Sequence, residues 1–516
     1  MPVSSENKRI AVNTVMLYIR MFGVMGISIY ISRIVLATLG VTDFGIYSVI
    51  SGIVVIFSFL QTVMASSVQR FLNVDLGAGN IQQLRKTFNS AFQIHFFIAI
   101  IVVVLGETLG LWFLNYRMEI PAERMSAANV IYQFSLLECV FQMMLTPFSA
   151  IVTVHERMSI LAYISFADVF LKLILVIIMS LSSFDNLIFY GLIMLFTTVI
   201  DFSLYFFYTR FKFEEVRLSF QVDMNQIRNI GSFAGWSMFG NFAYVMSTQG
   251  VNILLNLFFG PSVNAARAVT TQVQAAVTSF VYNFQIASVP QITKSYVTGN
   301  YHRMYALIYA TSKMSFYLLL LVALPLFFKM PYVLGLWLKE VPDHTVVFTR
   351  LVLIYMLIDS ISGGMTTSVN ATGKIKKYQL LNSVITILTL PISYLLLKIG
   401  LESECVYVVD IFVILTAQIV RIVIVLPIIS LPYKEYFENV VYRIVAVVFI
   451  AVVPCYYINT ISNNNFASLV IVCLCCTLIV ATFVYLIGIT KNERQMINKL
   501  VIDKVTKIAN SQSLQK

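Results

Sequence analysis

The sequence is poor in charge. Only 11% of its 516 residues are Asp, Glu, Lys or Arg, where a soluble domain carries about 25%. That deficit excludes an ordinary water-soluble globular domain. Histidine is also scarce: His95, His155, His302 and His344 lie far apart, which argues against a metal centre. The six cysteines, Cys139, Cys405, Cys455, Cys473, Cys475 and Cys476, form no CxxC. They sit in or beside apolar runs and read as small buried hydrophobes. A phosphate-binding GxxxxGK[ST] loop is missing too. The nearest approach, Gly373-Lys374, is followed by Ile375 and lacks the hydroxyl. No nucleotide, metal or other cofactor is expected.

Apolar sequence is abundant. Hydrophobic residues make up 59% of the chain, and the mean hydropathy is +0.84. Runs of about 20 apolar residues recur throughout, each long enough to cross roughly 30 Å of hydrocarbon as a helix. A barrel would show short alternating strands instead. The run from Ile10 to Leu39 is too long for a signal peptide and has no small-residue cleavage site, so it reads as the first span. The expected fold class is an all-α polytopic membrane protein with about fourteen transmembrane helices. They are placed near 11–38, 43–66, 89–114, 127–152, 159–182, 186–208, 231–258, 263–289, 305–328, 346–370, 379–400, 404–427, 440–459 and 466–489.

Lys and Arg set the orientation. One set of connections holds Lys8 and Arg9, Arg85 and Lys86, Arg210 and Lys212, Lys374, Lys376 and Lys377, and the basic tail from Lys491. The other holds only Arg117, Arg124, Lys329, Lys339, Arg350 and Lys398. The positive-inside rule places the first set, and both termini, in the cytoplasm. The net charge of +11 is accounted for by anionic lipid headgroups and requires no nucleic-acid partner. In the tail, Ile497, Leu500, Val501, Val505 and Ile508 share one helical stripe flanked by lysines, which suits the inner membrane surface.

The chain also repeats itself. Leu109-Gly110-Leu111-Trp112 returns as Leu334-Gly335-Leu336-Trp337, in a sequence with three tryptophans. Gly40 pairs with Gly260, Gly79-Asn80 with Gly299-Asn300, and Arg157 with Lys377, all about 220 residues apart. The implied unit is six helices, so two pseudo-symmetric six-helix lobes should relate by an axis along the membrane normal, with a cavity between them. The expected division is a first lobe at 1–209, a cytoplasmic amphipathic linker at 210–230 (Phe220, Met224, Ile227, Ile230), and a second lobe at 231–428. Two extra C-terminal helices at 429–490 and a basic tail at 491–516 follow.

Ionisable groups inside spans are costly and usually face a cavity or a partner. Asn13 and Arg20 share a face of the first span. Arg267 belongs to a polar stripe with Asn264, Thr271, Gln274 and Thr278, and Gln249, Asn252 and Asn256 repeat the pattern one span earlier. Together these residues suit an anionic headgroup such as a pyrophosphate. The alternative is that the arginines pair with internal acids and lock helices, and the sequence leaves both open. Arg33 either joins that cavity or snorkels at the outer end of its span, and Arg421 and Lys313 read as snorkelling. Asp168 and Lys172, four residues apart, read as a structural pair. Asp359, whose face continues through Ser362, Thr366 and Asn370, is a candidate for ion coupling, as are Glu138 and Asp201.

Three stretches carry a family resemblance. They are Ser32-Arg33 to Leu39-Gly40 with Phe44-Gly45-Ile46-Tyr47, Pro147-Phe148-Ser149 through His155-Glu156-Arg157, and Asn370-Ala371-Thr372-Gly373-Lys374. These turns, with the layout of six, six and two helices, resemble the polysaccharide flippases of the multidrug/oligosaccharidyl-lipid/polysaccharide exporter superfamily. The resemblance implies a non-enzymatic flippase of the bacterial inner membrane. It would move undecaprenyl-pyrophosphate-linked oligosaccharide by alternating access, for O-antigen, capsule or other lipopolysaccharide-type surface glycan, with H⁺ or Na⁺ as coupling ion. It implies contact of Arg20 and Arg267 with the pyrophosphate or with acidic sugars. The alternatives are an ion-coupled multidrug exporter and a lipid-II-type flippase of the same superfamily. A membrane glycosyltransferase or polymerase fits less well, because the outer loops are short and offer no convincing catalytic carboxylate pair.

Overall fold

The computed structural model describes residues 3–56, 58–77, 79–155, 157–217, 223–491 and 493–495; at 3–21, 229–240 and several shorter stretches the description is of the backbone alone. The described residues form helices and turns and no strand. Apolar sequence explains this, because a backbone in hydrocarbon must satisfy its own hydrogen bonds, and a helix does so within one segment.

Chain order gives α1 (Val3–Val55), α2 (Ser58–Gly77), α3 (Ile81–Arg117), α4 (Met125–Val154), α5 (Met158–Ser180) and α6 (Asn186–Lys212). Then follow α7 (Met224–Phe259), α8 (Pro261–Val297), α9 (Tyr301–Trp337), α10 (Thr345–Ser360), α11 (Gly363–Thr372) and α12 (Lys376–Ile387). The last are α13 (Thr389–Lys398), α14 (Cys405–Ile428), α15 (Tyr433–Ile461) and α16 (Phe466–Gly488).

Among the described residues, 11 helices are long and apolar enough to cross a membrane, or up to 12 with α10 and α11 taken as one span bent by 41°. The difference from about fourteen has two sources. The first two expected spans fall largely on α1, which counts once although Gly40 breaks it. Expected span 263–289 falls on α8, whose polar stripe keeps it below the apolar threshold. Among the described residues of the expected linker, 210–212 close α6. Met224, Ile227 and Ile230 are the opening turns of α7, whose first N–H groups are capped by Asp223. Phe220 lies outside the described residues, as does the tail stripe from Ile497 to Ile508.

The paired glycine positions share their local geometry. Gly40 (φ 75°, ψ 172°) and Gly260 (φ 76°, ψ −174°) break the chain in the same way. Both conformations are open to glycine and strained for an L side chain. At the second pair, Asn80 Oδ1 accepts from the Gln83 N–H at 3.0 Å and Asn300 Oδ1 from the Arg303 N–H at 3.1 Å. The same pair closes its preceding helix alike. The Gly79 and Gly299 N–H groups each donate three residues back at 3.0 Å, to Leu76 and Tyr296. An αL glycine after a helix and an Asn cap before the next explain why the dipeptide is Gly-Asn.

Packing divides the chain into two compact units. Unit 1 comprises Met1–Gln272, Gly335–Phe348 and Gln379–Val413; unit 2 comprises Val273–Leu334, Thr349–Tyr378 and Ile414–Lys516. In unit 1, α4 packs on α6, α5 on α1 and α2 on α7. Its core includes Phe148, fully buried, with the rings of Phe88, Phe92, Phe202 and Phe206 edge-on around it at 5.5–5.9 Å. In unit 2, α15 packs on α16 through Val447, Ala451, Cys455, Val472, Cys476 and Val480. The outer faces of these two helices expose Phe449, Leu474 and Leu478, an apolar surface suited to acyl chains. All six cysteines are free, and Cys139, Cys455 and Cys476 are buried.

Candidate functional site

Unit 1 collects most of the sequence-derived candidates. Arg267, on α8, is 8% exposed. Its Nη2 donates to the Thr248 carbonyl at 2.8 Å, its Nη1 to the Tyr407 hydroxyl at 3.3 Å, and the guanidinium lies 5.7 Å from the Tyr407 ring. Asp410 is its acidic neighbour and accepts from the Thr389 hydroxyl. In this conformation Arg267 therefore ties α8 to α7 and α14, the helix-locking arrangement that the sequence left open. Beside it, Asn264 Nδ2 donates to the Asn252 side chain at 2.8 Å and to its carbonyl at 2.7 Å. Asn252 in turn donates to the Ser48 carbonyl at 3.2 Å. Gln249 and Asn252 flank Gly52, where a Cβ would stand 2.8 and 2.7 Å from their polar atoms. Thr271 is exposed, with its hydroxyl on the Ala268 carbonyl at 2.8 Å. Gln274 is half-buried and belongs to unit 2. The backbones of Asn13 and Arg20 are helical, and their side chains lie outside the described residues.

A second cluster is acidic. Lys172 Nζ sits 2.9 Å from Asp168, the expected pair one helical turn apart. Glu138 accepts from Gln142 Nε2 at 2.9 Å and from the Thr198 hydroxyl, and its charge is felt by Lys172 and Asp168. Asp201 faces the same Asp168 and Lys172. Its Oδ1 is buried with no hydrogen-bond partner among the described residues. Tyr47 and Tyr190, edge to face at 4.6 Å, flank Glu138. Glu138 and Asp201, named from sequence as separate acids, are thus brought together with Asp168 around one ammonium. One ammonium neutralises one carboxylate. The other two carboxylates have no cation of their own among the described residues.

Two further groupings in unit 1 were not anticipated. Arg124 is shared by Asp43 and Asp185, with Nε 2.9 Å from Asp43 and Nη1 2.7 Å from Asp185. Burial pushes the Asp185 carboxyl up. The Arg124 hydrogen bond and the N–H groups of Ile188 and Leu187 outweigh it and hold the group below the ordinary carboxylate value. A depressed carboxylate contributes stability that is present above its unfolded value, about pH 4, and is lost as pH falls through the folded value. The thermal midpoint should therefore drop on acidification below about pH 4, and an Asp185→Asn variant should show a flatter profile there, read by scanning fluorimetry. The other grouping is a cavity of about 730 Å³ lined by Tyr30, Arg33, Ile34, Ala37, Thr38, Ser180, Asn186 and Lys339. Lys339 joins Arg33 there. Arg33 could be singled out because it interrupts an apolar run; Lys339, in a polar loop, gave no such signal.

In unit 2, Asp359 lies near Arg421 and accepts from the Ser362 hydroxyl. The chain bends between α10 and α11 at this point, so Ser362, Thr366 and Asn370 do not continue one straight face. Thr366 instead meets the Tyr378 hydroxyl at 3.2 Å. Arg421 and Lys313 do not snorkel. Arg421 Nε donates to Tyr378 at 3.1 Å and Nη1 to Gln418 at 3.0 Å, and Lys313, fully buried, reaches Glu493 at 2.8 Å. Both found internal partners that remove the need to reach water. Among the described residues no group of His, Cys, Asp and Glu could hold a metal ion.

No family model matches the sequence, and no curated protein matches it. Solved structures do. The lipid II flippase MurJ in an inward closed conformation aligns with TM-score 0.71 at 11% identity, over 92% of this chain and 99% of that one. An inward-facing multidrug resistance MATE family transporter of the MOP superfamily aligns with TM-score 0.65 at 13% identity, over 81% of this chain and 98% of its own. The eukaryotic MATE transporter AtDTX14 gives 0.58 at 14% identity, over 86% and 98%. At these identities the likeness is one of fold alone.

Proposed function

We propose that this chain is an alternating-access flippase of the bacterial cytoplasmic membrane, moving undecaprenyl-pyrophosphate-linked oligosaccharide for surface polysaccharide assembly. In this reading about fourteen helical passes form two six-helix lobes and a C-terminal pair, with both termini inside. The observation that carries the reading is coverage. The multidrug transporter is matched over 98% of its length by 81% of this chain, whereas the lipid II flippase aligns with 92% of it. The additional sequence goes with the flippase. The charge pattern agrees: arginines within spans suit an anionic headgroup better than an organic cation. Arg20, Arg267 and Arg33, with Asn13, Gln249, Asn252, Thr271 and Gln274, are the proposed substrate contacts; Arg267 would exchange its bonds to Thr248 and Tyr407 for the headgroup. The second reading, a lipid-II-type flippase, is favoured by the same alignment and differs in the glycan carried.

The cluster of Glu138, Asp168 and Asp201 around Lys172 is the proposed seat of ion coupling, by H⁺ because its acids form no metal-holding group among the described residues, with Asp359 the candidate in unit 2. Glu138→Gln and Asp201→Asn should each reduce gradient-driven lipid movement in proteoliposomes at least about tenfold, the loss of roughly 1.4 kcal/mol of coupling, without lowering the thermal midpoint. Undiminished stimulation by an H⁺ gradient in the two variants would remove this cluster from the mechanism.

A further inference from the structure

We infer that Arg33 and Lys339 form a phosphoanion site at the end of unit 1 that the charge bias places outside. Both residues line the same cavity, and no carboxylate lines it with them. Among the described residues neither cation has an ion-pair partner. Of the acids in the neighbouring segments, Asp43 and Asp185 are engaged on Arg124 and Glu404 on His344 at 2.6 Å, while Glu340 and Asp343 are exposed and do not line the cavity. With no carboxylate in the lining, the two cations leave the cavity wall net positive. Like charges sharing a cavity repel unless an anion lies between them.

The chemistry favours phosphate. A guanidinium fork matches two phosphate oxygens in one plane, and an ammonium acts as a point charge on a third. The hydroxyls of Tyr30 and Thr38 are at hand in the same lining as further donors. The Ser180 hydroxyl is committed to the Ile177 carbonyl at 2.7 Å and serves only as an acceptor. A volume of about 730 Å³ lies within the roughly 300–1,000 Å³ range of small-ligand cavities. It accommodates a pyrophosphate together with a first sugar. Trp337 fixes the segment that carries Lys339, donating from Nε1 to the Ile29 carbonyl at 2.8 Å, one turn before Arg33 on α1. The two cations are therefore held by one backbone-anchored junction. The site deepens the flippase reading and rests on it for the natural ligand: a headgroup captured there after crossing, before release.

The test uses full-length protein in nanodiscs of neutral lipid, titrated with inorganic pyrophosphate and with a short isoprenyl pyrophosphate. Wild-type protein should bind both saturably, more weakly as salt rises. The Arg33→Gln/Lys339→Gln variant should bind at least tenfold more weakly with an unchanged thermal midpoint, since neither side chain supports a structural bond. Tighter binding of the isoprenyl compound names the lipid headgroup as the source, and equal binding names the free anion; either upholds the site. Pyrophosphate affinity unchanged by the double substitution, or no saturable binding to wild-type protein, overturns it. The two claims fail separately. A wild-type protein that binds pyrophosphate but moves no lipid removes the flippase reading. A protein that moves lipid, with pyrophosphate affinity indifferent to both substitutions, removes only the site.

Discussion

Replacing Glu493 by Ala should lower stability by about 3 kcal/mol, the lower end of what breaking a buried ion pair costs. The partner left behind is Lys313, fully buried on α9. Its ammonium is 2.8 Å from Glu493, the one carboxylate that answers its charge among the described residues. Glu493 is held from its other side as well. The Thr490 N–H and hydroxyl donate to it at 2.7 and 3.0 Å, and the Glu493 N–H returns a bond to the Thr490 hydroxyl at 3.3 Å, a capping box. Burial alone would raise the Glu493 carboxyl; the Lys313 ammonium and the Thr490 donors bring it below the ordinary value. Around this pair, Tyr317 donates to the Gly488 carbonyl, and Arg443 to those of Ile487 and Ile489. The pair thus fastens the end of α16 to α9. Lys313→Met together with Glu493→Leu should recover most of the loss, because an apolar pair needs no desolvated charge. Thermal midpoints of the single and double variants decide it: equal losses would mean that the charge pair is not what holds the segment.

The second large effect is expected at Gly45. A Cβ there would stand 1.8 Å from the carbonyl oxygen of Pro261. The obstacle is backbone at the start of α8, directly after Gly260 fixes the chain at φ 76°, so no rotamer change relieves it. Overpacking of this kind costs about 1–3 kcal/mol and more where the neighbour cannot yield. Gly45→Ala should therefore give little monodisperse protein after solubilisation. Gly335→Ala is the matched control: a Cβ there meets nothing within 4 Å, and the helix should gain slightly. Normal yield and midpoint for Gly45→Ala would show that α1 and α8 do not approach as described.

Gly45 also marks what sequence could and could not convey. The breaks at Gly40 and Gly260 and the Gly-Asn turns were legible because a glycine or a cap acts on its own neighbours. The Asp168–Lys172 pair was legible for the same reason, being one helical turn apart. Contacts between distant segments were not. Nothing local in Glu493 announces Lys313, and nothing in Arg124 announces Asp43 and Asp185. The acidic residues Glu138 and Asp201 could be flagged one by one, since a carboxylate in a span is conspicuous. That they meet over a single lysine depends on how α4, α5 and α6 pack. The span count was blurred where polarity and apolarity mix, in the stripe of α8. There a helix can be membrane-embedded in a wet bundle and still fail an apolar-run criterion.

The central claim is best tested by reconstituting the wild-type protein into liposomes and following a fluorescent undecaprenyl-pyrophosphate oligosaccharide across the bilayer, beside an organic cation. The account predicts protein-dependent movement of the lipid-linked oligosaccharide under an imposed H⁺ or Na⁺ gradient, reduced by Arg20→Ala and Arg267→Ala, and no transport of the cation. Transport of the cation with a stationary lipid would contradict it and make the chain a drug exporter of the same fold.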